Sequence, residues 1–287
     1  MKSLNIASLS LLLSFSALVH ADDPQPAISA TQMIERAGHK IAFHIQQGAL
    51  PVIVLDAGGG LDSTYWNTLI PELAKRTGCK IITYDRAGFG RSDEVPGPWS
   101  VRSATDDLAY GLEKLGATHD VILVSHSLAG EIATYLARKH PQWIFGAVLV
   151  DANVPELFTD NFIDRSIALY APIIAATKAA PPSQAGRQLL ALSESFRETS
   201  QAFHRATWPA AVPAIVIVSE QTPFDAAADA KWWKDAHQQF VNGANNRKLV
   251  LADRSSHDVA HDRPDVIIQS VAELVASYKP PQPVPKH

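Results

Sequence analysis

Residues 121–130 place a serine where a strand-like run meets a helix-like run. The segment reads VILVSHSLAG, and a helical pattern begins at Leu128, directly after Ser127. A sharp turn between strand and helix would strain the serine backbone and expose its hydroxyl. The free N–H groups of the helix N-terminus would face any developing oxyanion. The small residues Ser125 and Ala129 allow the two backbones to come close. The pattern indicates a nucleophilic serine, and the alternative is a serine that only caps the helix.

Other residues that could react or bind a ligand lack the sequence pattern that such chemistry needs. His257 and His261 lie four residues apart, but no HExxH frame surrounds them, so no metal site is expected. Cys79 is the only cysteine and begins an apolar run, which favours a buried and inert thiol. The glycines at 58–60 are not followed by the Lys-Ser/Thr pair of a phosphate-binding loop.

The elements that position Ser127 alternate between apolar, β-branched runs and helical patterns. This alternation predicts an α/β fold with a mainly parallel central sheet flanked by helices. Short, almost continuously apolar strands suit a sheet that is covered on both faces. Strands are predicted over residues 40–46, 52–56, 80–84, 121–125, 147–151, 214–219 and 248–252, and helices over residues 103–115, 128–139 and 264–278.

One interval, residues 153–209, contains no convincing strand. It is rich in Ala, Ser, Pro and helix formers. We expect a helical cap here, inserted between core segments 22–152 and 210–279, with a mobile turn at residues 179–183. The alternative is an ordinary long surface excursion.

Residues 1–21 and 280–287 differ in composition from the rest of the chain. Lys2, a mostly apolar stretch over residues 4–19 and the sequence Val-His-Ala at 19–21 are typical of a secretory signal peptide. Cleavage after residue 21 would export the protein to the periplasm or the medium. A membrane anchor is the alternative, but the stretch falls short of the ~20 apolar residues of a spanning helix. Residues 280–287 are proline-rich, and we expect a disordered tail.

Charge and composition exclude several kinds of partner. The 287 residues carry a formal net charge of −4, with acids and bases scattered along the chain. The sequence has no basic stripe for nucleic acid and no polybasic membrane patch. We therefore expect a small-molecule substrate, no nucleic-acid partner and no membrane span in the mature form. The oligomeric state stays open.

The segment around Ser127 resembles the nucleophile elbow of the α/β-hydrolase superfamily, normally G-x-S-x-G. It departs from that pattern at both glycines, which are Ser125 and Ala129 here. Both replacements are small, so the steric requirement is still met. Three further segments follow the family's order: the glycine-ended run at 52–60, the loop YDRAGFGRS at 84–92 and the sequence SSHD at 255–258. The resemblance spans residues ~30–278.

The resemblance implies a role for each candidate residue. Ser127 would be the nucleophile and His257, after the last predicted strand, its general base. The N–H groups of Gly59 and Leu128 would form the oxyanion hole. The resemblance places the loop at 84–92 beside the elbow as a structural wall.

No motif in the sequence identifies the acid that would orient His257. The usual family position follows the strand at 214–219, where this sequence has Glu220 and no aspartate. Some members carry the acid after the preceding strand, and Asp151 fits that place. We therefore favour Asp151 as the third member, with Glu220 and Asp225 as the alternatives.

The implied activity is that of a serine hydrolase acting on carboxylic esters or lactones. The reaction would pass through an acyl-enzyme on Ser127 and need neither cofactor nor metal. A cofactor-free perhydrolase or a C–C bond hydrolase would use the same triad. A protein that keeps the fold only to bind a ligand is the alternative from another class.

Overall fold

The computed structural model describes residues 30–279. The predicted signal peptide at residues 1–21 and the predicted tail at residues 280–287 lie outside the described residues. Within residues 30–279, no helix combines the length and the apolar character needed to cross a membrane.

Eight strands form one sheet in the order β1-β2-β4-β3-β5-β6-β7-β8. β1 pairs antiparallel with β2 and β2 antiparallel with β4, whereas every other neighbouring pair is parallel. The mainly parallel sheet predicted from the sequence is therefore confirmed. The strands are β1 (Ala30–Arg36), β2 (His39–Gln46), β3 (Ala49–Asp56), β4 (Cys79–Asp85), β5 (Val121–His126), β6 (Ile144–Val150), β7 (Ala214–Ser219) and β8 (Arg247–Ala252).

Helices cover both faces of this sheet. They are α1 (Leu69–Thr77), α2 (Val101–Lys114), α3 (Ala129–Lys139), α4 (Asp160–Ala179), α5 (Gln184–His204), α6 (Ala227–Asn242), α7 (Val259–Asp262) and α8 (Pro264–Ser277). One apolar core packs α2, α3 and α6 against the sheet, and a second packs α1 and α8 against the opposite face. Burial on both faces explains why β5 is apolar for four successive residues and buried along its whole length.

β1 and β6 depart from the sequence prediction for physical reasons, and α1, α6 and α7 were not predicted as helices. β1 had no predicted counterpart because it is an edge strand whose side chains are mostly exposed, so it lacks an apolar run. The strand predicted over 147–151 ends at Val150, because Asp151 turns out of the sheet with φ +42°.

The long helices α4 and α5 lie between β6 and β7 and pack against each other. Each begins with a side-chain cap: Thr159 accepts the N–H of Phe162, and Ser183 accepts the N–H of Gly186. Residues 180–183 connect the two helices. The pair lies over the carboxyl end of β5, and its side chains line the cavity described below.

Candidate active site

The turn between β5 and α3 holds Ser127 in a strained conformation. Its φ is +53°, a region that non-glycine residues rarely adopt and that costs of order 1–3 kcal/mol. Gly130 shows why the turn needs small residues: a Cβ at this position would lie 2.2 Å from the carbonyl oxygen of Asn153. Ser125 and Ala129, which stand at the usual glycine positions, are both buried and fit the turn.

The structure brings Ser127, His257 and Asp151 into one hydrogen-bonded chain. His257 lies in the loop between β8 and α7, and its Nε2 is 3.0 Å from Ser127 Oγ. Its Nδ1 is 2.7 Å from Asp151 Oδ2. Because a carboxylate only accepts, Nδ1 carries the proton and Nε2 is left to accept the serine hydroxyl. The geometry is that of a nucleophile, its base and an orienting acid.

Asp151 is held by four donors and is fully buried. Oδ1 accepts the Ser219 N–H at 3.0 Å and the Trp233 indole N–H at 2.9 Å. Oδ2 accepts the Ser219 hydroxyl at 2.7 Å in addition to His257. Burial alone would raise the pKa of this carboxyl, but hydrogen bonding and charge from His257, the charge of His237 and the Ser219 N–H lower it to about 2. The carboxyl is therefore ionised at neutral pH.

The alternative acids lie elsewhere. Glu220 is exposed, and its Oε2 accepts the backbone N–H of Arg254. Asp225 is exposed in the segment that precedes α6. The structure brings neither carboxylate to His257, whose Nδ1 is bonded to Asp151.

Gly59 and Leu128, the predicted oxyanion donors, lie against each other at the mouth of the elbow. A Cβ at Gly59 would be 3.4 Å from Leu128 Cδ1, so the glycine loop after β3 packs on the first residue of the turn into α3. Within residues 30–279, neither backbone N–H has a protein acceptor. Both donors are therefore available to an oxygen bound beside Ser127.

Arg86 holds this glycine loop in place, a role that has no signal in the sequence. Its Nη1 lies 2.5 Å from the carboxylate of Asp56 and 2.5 Å from the carbonyl oxygen of Ala57, and its Nη2 donates to the carbonyl of Gly58. The guanidinium is buried, so these bonds are shielded from solvent. A planar guanidinium with several donors can bond several acceptors at once, which an ammonium does less well. Arg86 therefore determines where the Gly59 N–H points.

Replacing Arg86 with Lys should lower kcat for ester hydrolysis by roughly 10–100-fold, because losing an oxyanion donor outright costs 10²–10³-fold. The loop would lose at least one carbonyl anchor while keeping its positive charge. Steady-state kinetics with a p-nitrophenyl ester would measure the change. Arg91→Lys, an exposed position on the same loop, is the matched control. Equal kcat values for the two variants would contradict the role given to Arg86.

His126, beside the nucleophile, faces away from the substrate side. Its Nε2 donates to the backbone carbonyl of His257 at 3.0 Å, and its ring stacks on Tyr65. Burial, followed by repulsion from His257, lowers its pKa to about 3, so the ring is neutral. A Cβ on Gly58 would lie 2.8 Å from His126 Nδ1, which explains the glycine there. His126 therefore links the elbow to the loop that carries His257.

A cavity of about 560 Å³, partly open to solvent, adjoins Ser127 beneath α4 and α5. Most of its wall is apolar or aromatic, with hydroxyl-bearing residues from the two helices at one side. The lining residues are Trp99, Ser127, Leu128, Glu131, Asn153, Leu157, Phe158, Phe162, Ser166, Tyr170, Leu192, Ser195, Phe196, Thr199 and Ser200.

Glu131 is the one ionisable carboxyl among those lining residues. It lies in the first turn of α3, one turn beyond Ser127, and is only 4% exposed. Burial raises its pKa to about 7, although the hydrogen bond from Asn153 Nδ2 to Oε1, 2.8 Å long, opposes the rise. This residue has no signal in the sequence, because a glutamate early in a helix is ordinarily a solvated partner of the helix dipole.

Glu131→Gln should stabilise the protein at alkaline pH and not at pH 4. The folded carboxyl has a pKa of about 7 against 4.5 for the unperturbed group. The folded state therefore holds a proton that the unfolded state has lost, and stability falls as pH rises from 4.5 to 7. Because each pKa unit is worth 1.36 kcal/mol, removing the charge should raise the free energy of unfolding by about 3 kcal/mol at pH 8. Urea unfolding of both proteins at pH 4 and pH 8 measures this, and an equal difference at the two pH values would contradict it.

Comparison with known proteins agrees with the fold. Residues 53–270 match the alpha/beta hydrolase family. The chain is 28% identical over 245 residues to the uncharacterized protein YqjL of Bacillus subtilis, covering 81% of this chain and 88% of that protein. It is 26% identical over 226 residues to a putative carbamate hydrolase, RutD, of Caulobacter segnis, covering 77% of this chain and 82% of that protein.

Solved structures share the same fold at low identity. An esterase from Thermogutta terrifontis aligns with a TM-score of 0.59 at 20% identity, covering 86% of this chain and 97% of that one. A bromoperoxidase from Bacillus anthracis aligns with a TM-score of 0.63 at 20% identity, covering 86% and 99%. The chain belongs to the alpha/beta hydrolase family, as the resemblance around Ser127 predicted.

Proposed function

We propose that this protein is a serine hydrolase that cleaves a carboxylic ester or lactone through an acyl-enzyme on Ser127. The observation that carries the proposal is the continuous hydrogen-bonded chain from Ser127 Oγ through His257 to Asp151. A serine that only capped α3 would not need a buried imidazole at 3.0 Å or an ionised carboxylate behind it.

The first half of the reaction acylates the enzyme. His257 Nε2 takes the proton of Ser127 while Oγ attacks the substrate carbonyl carbon, which forms a tetrahedral oxyanion. The Gly59 and Leu128 N–H groups stabilise that oxyanion. The carbon–oxygen bond to the alcohol then breaks, and the imidazolium gives its proton to the leaving oxygen. Asp151 stabilises the imidazolium without taking its proton.

The second half returns the free enzyme. His257 removes a proton from a water molecule, whose oxygen attacks the acyl carbon through a second tetrahedral oxyanion. Collapse of this intermediate breaks the bond to Ser127 Oγ, and the imidazolium reprotonates the serine. The carboxylic acid leaves, and neither step requires a cofactor or a metal.

The serine at position 127 favours acyl transfer over related reactions of the fold that need a carboxylate nucleophile. The same triad would serve a perhydrolase or a C–C bond hydrolase, and identification of the products separates these reactions. A protein that only binds its ligand is the alternative outside enzymes. The ionised Asp151 behind the Ser127–His257 pair argues against it.

The proposal is tested by hydrolysis of p-nitrophenyl esters of graded acyl length by the purified protein. We expect p-nitrophenol and the carboxylic acid in equal amounts, without added metal or peroxide. The rate should depend on acyl length, because the volume of the cavity limits the acyl chains that fit. A folded protein that turns over no ester and does not react with a fluorophosphonate would contradict the proposal.

We further propose that the protein is exported, on the pattern of residues 1–21 alone. N-terminal sequencing of the protein recovered from cell fractions tests this. Recovery outside the cytoplasm with Asp22 at the N-terminus would support it, and an intact Met1 on cytoplasmic protein would contradict it.

A further inference from the structure

Glu131 presents an unpaired oxygen at the cavity. Its Oε1 accepts the amide N–H of Asn153 at 2.8 Å, whereas Oε2 has no donor among residues 30–279. The side chain is 96% buried yet lines the cavity next to Ser127, so Oε2 can be reached only from inside that space. A buried carboxylate without a donor is costly, so the missing partner is expected to come from a ligand.

Several other polar atoms of the cavity wall can accept a hydrogen bond. Asn153 uses one N–H on Glu131, which leaves its Oδ1 as an acceptor and its second N–H as a donor. The hydroxyl of Ser166 donates to the carbonyl of Phe162 at 2.8 Å, so only its lone pairs remain. None of the fifteen lining residues is Lys, Arg or His. A cavity that offers several acceptors and no cation complements a group with several N–H donors and a positive charge.

The aromatic walls fit the same type of ligand. Trp99, Phe158 and Phe196 line the cavity together with leucine side chains. These surfaces accommodate methylene groups, and aromatic faces also attract a cation. The cavity therefore combines apolar and aromatic walls with a carboxyl group that is mostly ionised above pH 7.

The acyl group is the part of the substrate that we assign to this space. The acyl carbon stays attached to Ser127 Oγ from the first step to the second, and Ser127 lines the same cavity as Glu131. Glu131 lies four positions after Ser127, in the first turn of α3, and both side chains line one cavity. A short, flexible acyl chain attached to Ser127 Oγ can therefore extend within that cavity towards Glu131.

We propose that Glu131, with Asn153, binds a primary ammonium group on the acyl chain, so that the preferred substrates are esters of ω-amino carboxylic acids. This proposal rests on the proposed function, which supplies the reaction. It adds the chemical group on the substrate that the cavity recognises. The ammonium group of the substrate would supply the positive charge that no lining residue of the cavity places beside Glu131.

The ester test uses two p-nitrophenyl esters of equal length, 6-aminohexanoate and heptanoate, in which an ammonium replaces a methyl group. At pH 8 we expect kcat/KM to favour the amino ester by at least about tenfold, since hydrogen bonds to charged groups contribute 1.5–3 kcal/mol. Glu131→Gln should reduce that ratio by at least about tenfold. Glu194→Gln, an exposed glutamate on α5, is the matched control and should keep the wild-type ratio.

A second measurement separates this inference from the proposed function. Titration calorimetry with hexylamine and with 1-hexanol tests recognition of the ammonium without any turnover. Hexylamine binding that is stronger than hexanol binding and is weakened at least about tenfold in Glu131→Gln supports the inference. Equal binding of the two probes, or an unchanged hexylamine affinity in Glu131→Gln, overturns it.

The combined outcomes are distinct. Ser127-dependent hydrolysis of heptanoate without an amino preference overturns the inference and leaves the serine hydrolase intact. If neither ester is hydrolysed and no fluorophosphonate label forms, the proposed function fails, and hexylamine binding alone then decides whether the cavity recognises an ammonium.

Discussion

Replacing Ser127 with Ala is expected to lower kcat for p-nitrophenyl ester hydrolysis by about 10⁶-fold, the size of the loss when a triad nucleophile is removed. Alanine removes the only atom that attacks the carbonyl, while the glycine loop and the cavity keep their positions. The protein should stay folded, because the hydroxyl accounts for one hydrogen bond of the site, at 3.0 Å from His257. Steady-state rates and far-ultraviolet circular dichroism measure both points.

The positive φ of Ser127 affects the wild type and the Ser127→Ala variant alike. Alanine adopts the left-handed region no more readily than serine does, so the turn stays strained at +53° in both proteins. A change in activity therefore reports the hydroxyl and not a relaxed backbone. A variant that kept more than a tenth of the wild-type kcat would remove Ser127 from the mechanism.

Replacing Asp151 with Asn should lower kcat by about 10⁴-fold, as the loss of the orienting carboxylate does in serine proteases. The amide oxygen would keep the N–H bonds from Ser219 and Trp233, so the amide nitrogen would present an N–H to Nδ1. The ring proton would then sit on Nε2, which could no longer accept the serine proton. Substrate binding should change much less, because Asp151 is fully buried behind His257 and is not a lining residue of the cavity.

The two alternative acids provide matched controls for that variant. Glu220→Gln and Asp225→Asn alter exposed carboxylates that the structure keeps away from His257. We expect both to keep kcat within a few-fold of the wild type. If Asp151→Asn were as active as either control, the acid would have to be reassigned.

Much of the fold could be predicted from the sequence because the central strands are buried on both faces. β5 and β7 consist largely of apolar, β-branched residues, and polar side chains appear only at their carboxyl ends. Edge strand β1 could not be found in this way, since its exposed side chains leave no hydrophobic pattern. Periodicity thus reports burial, and it fails for an edge strand that is held by backbone pairing and a few polar contacts such as that of Arg36 with Asp107.

The site was predictable only where a residue type stood at a characteristic junction. Ser127 follows a buried strand and His257 follows the last one, and both lie where the carboxyl ends of parallel strands meet. Arg86 and Glu131 gave no such signal, because their importance comes from burial beside residues far away in the chain. Their roles depend on the three-dimensional packing of the glycine loop and of α4 and α5.

The most direct test of the central claim is covalent labelling of the wild-type protein with a fluorophosphonate, followed by mass spectrometry of its peptides. Only a serine activated by a base reacts readily with this reagent. We predict one phosphonyl group per chain, attached to Ser127, together with complete loss of esterase activity and no label in Ser127→Ala. Absence of labelling in folded protein, or label on another residue, would contradict the assignment of Ser127 as the nucleophile.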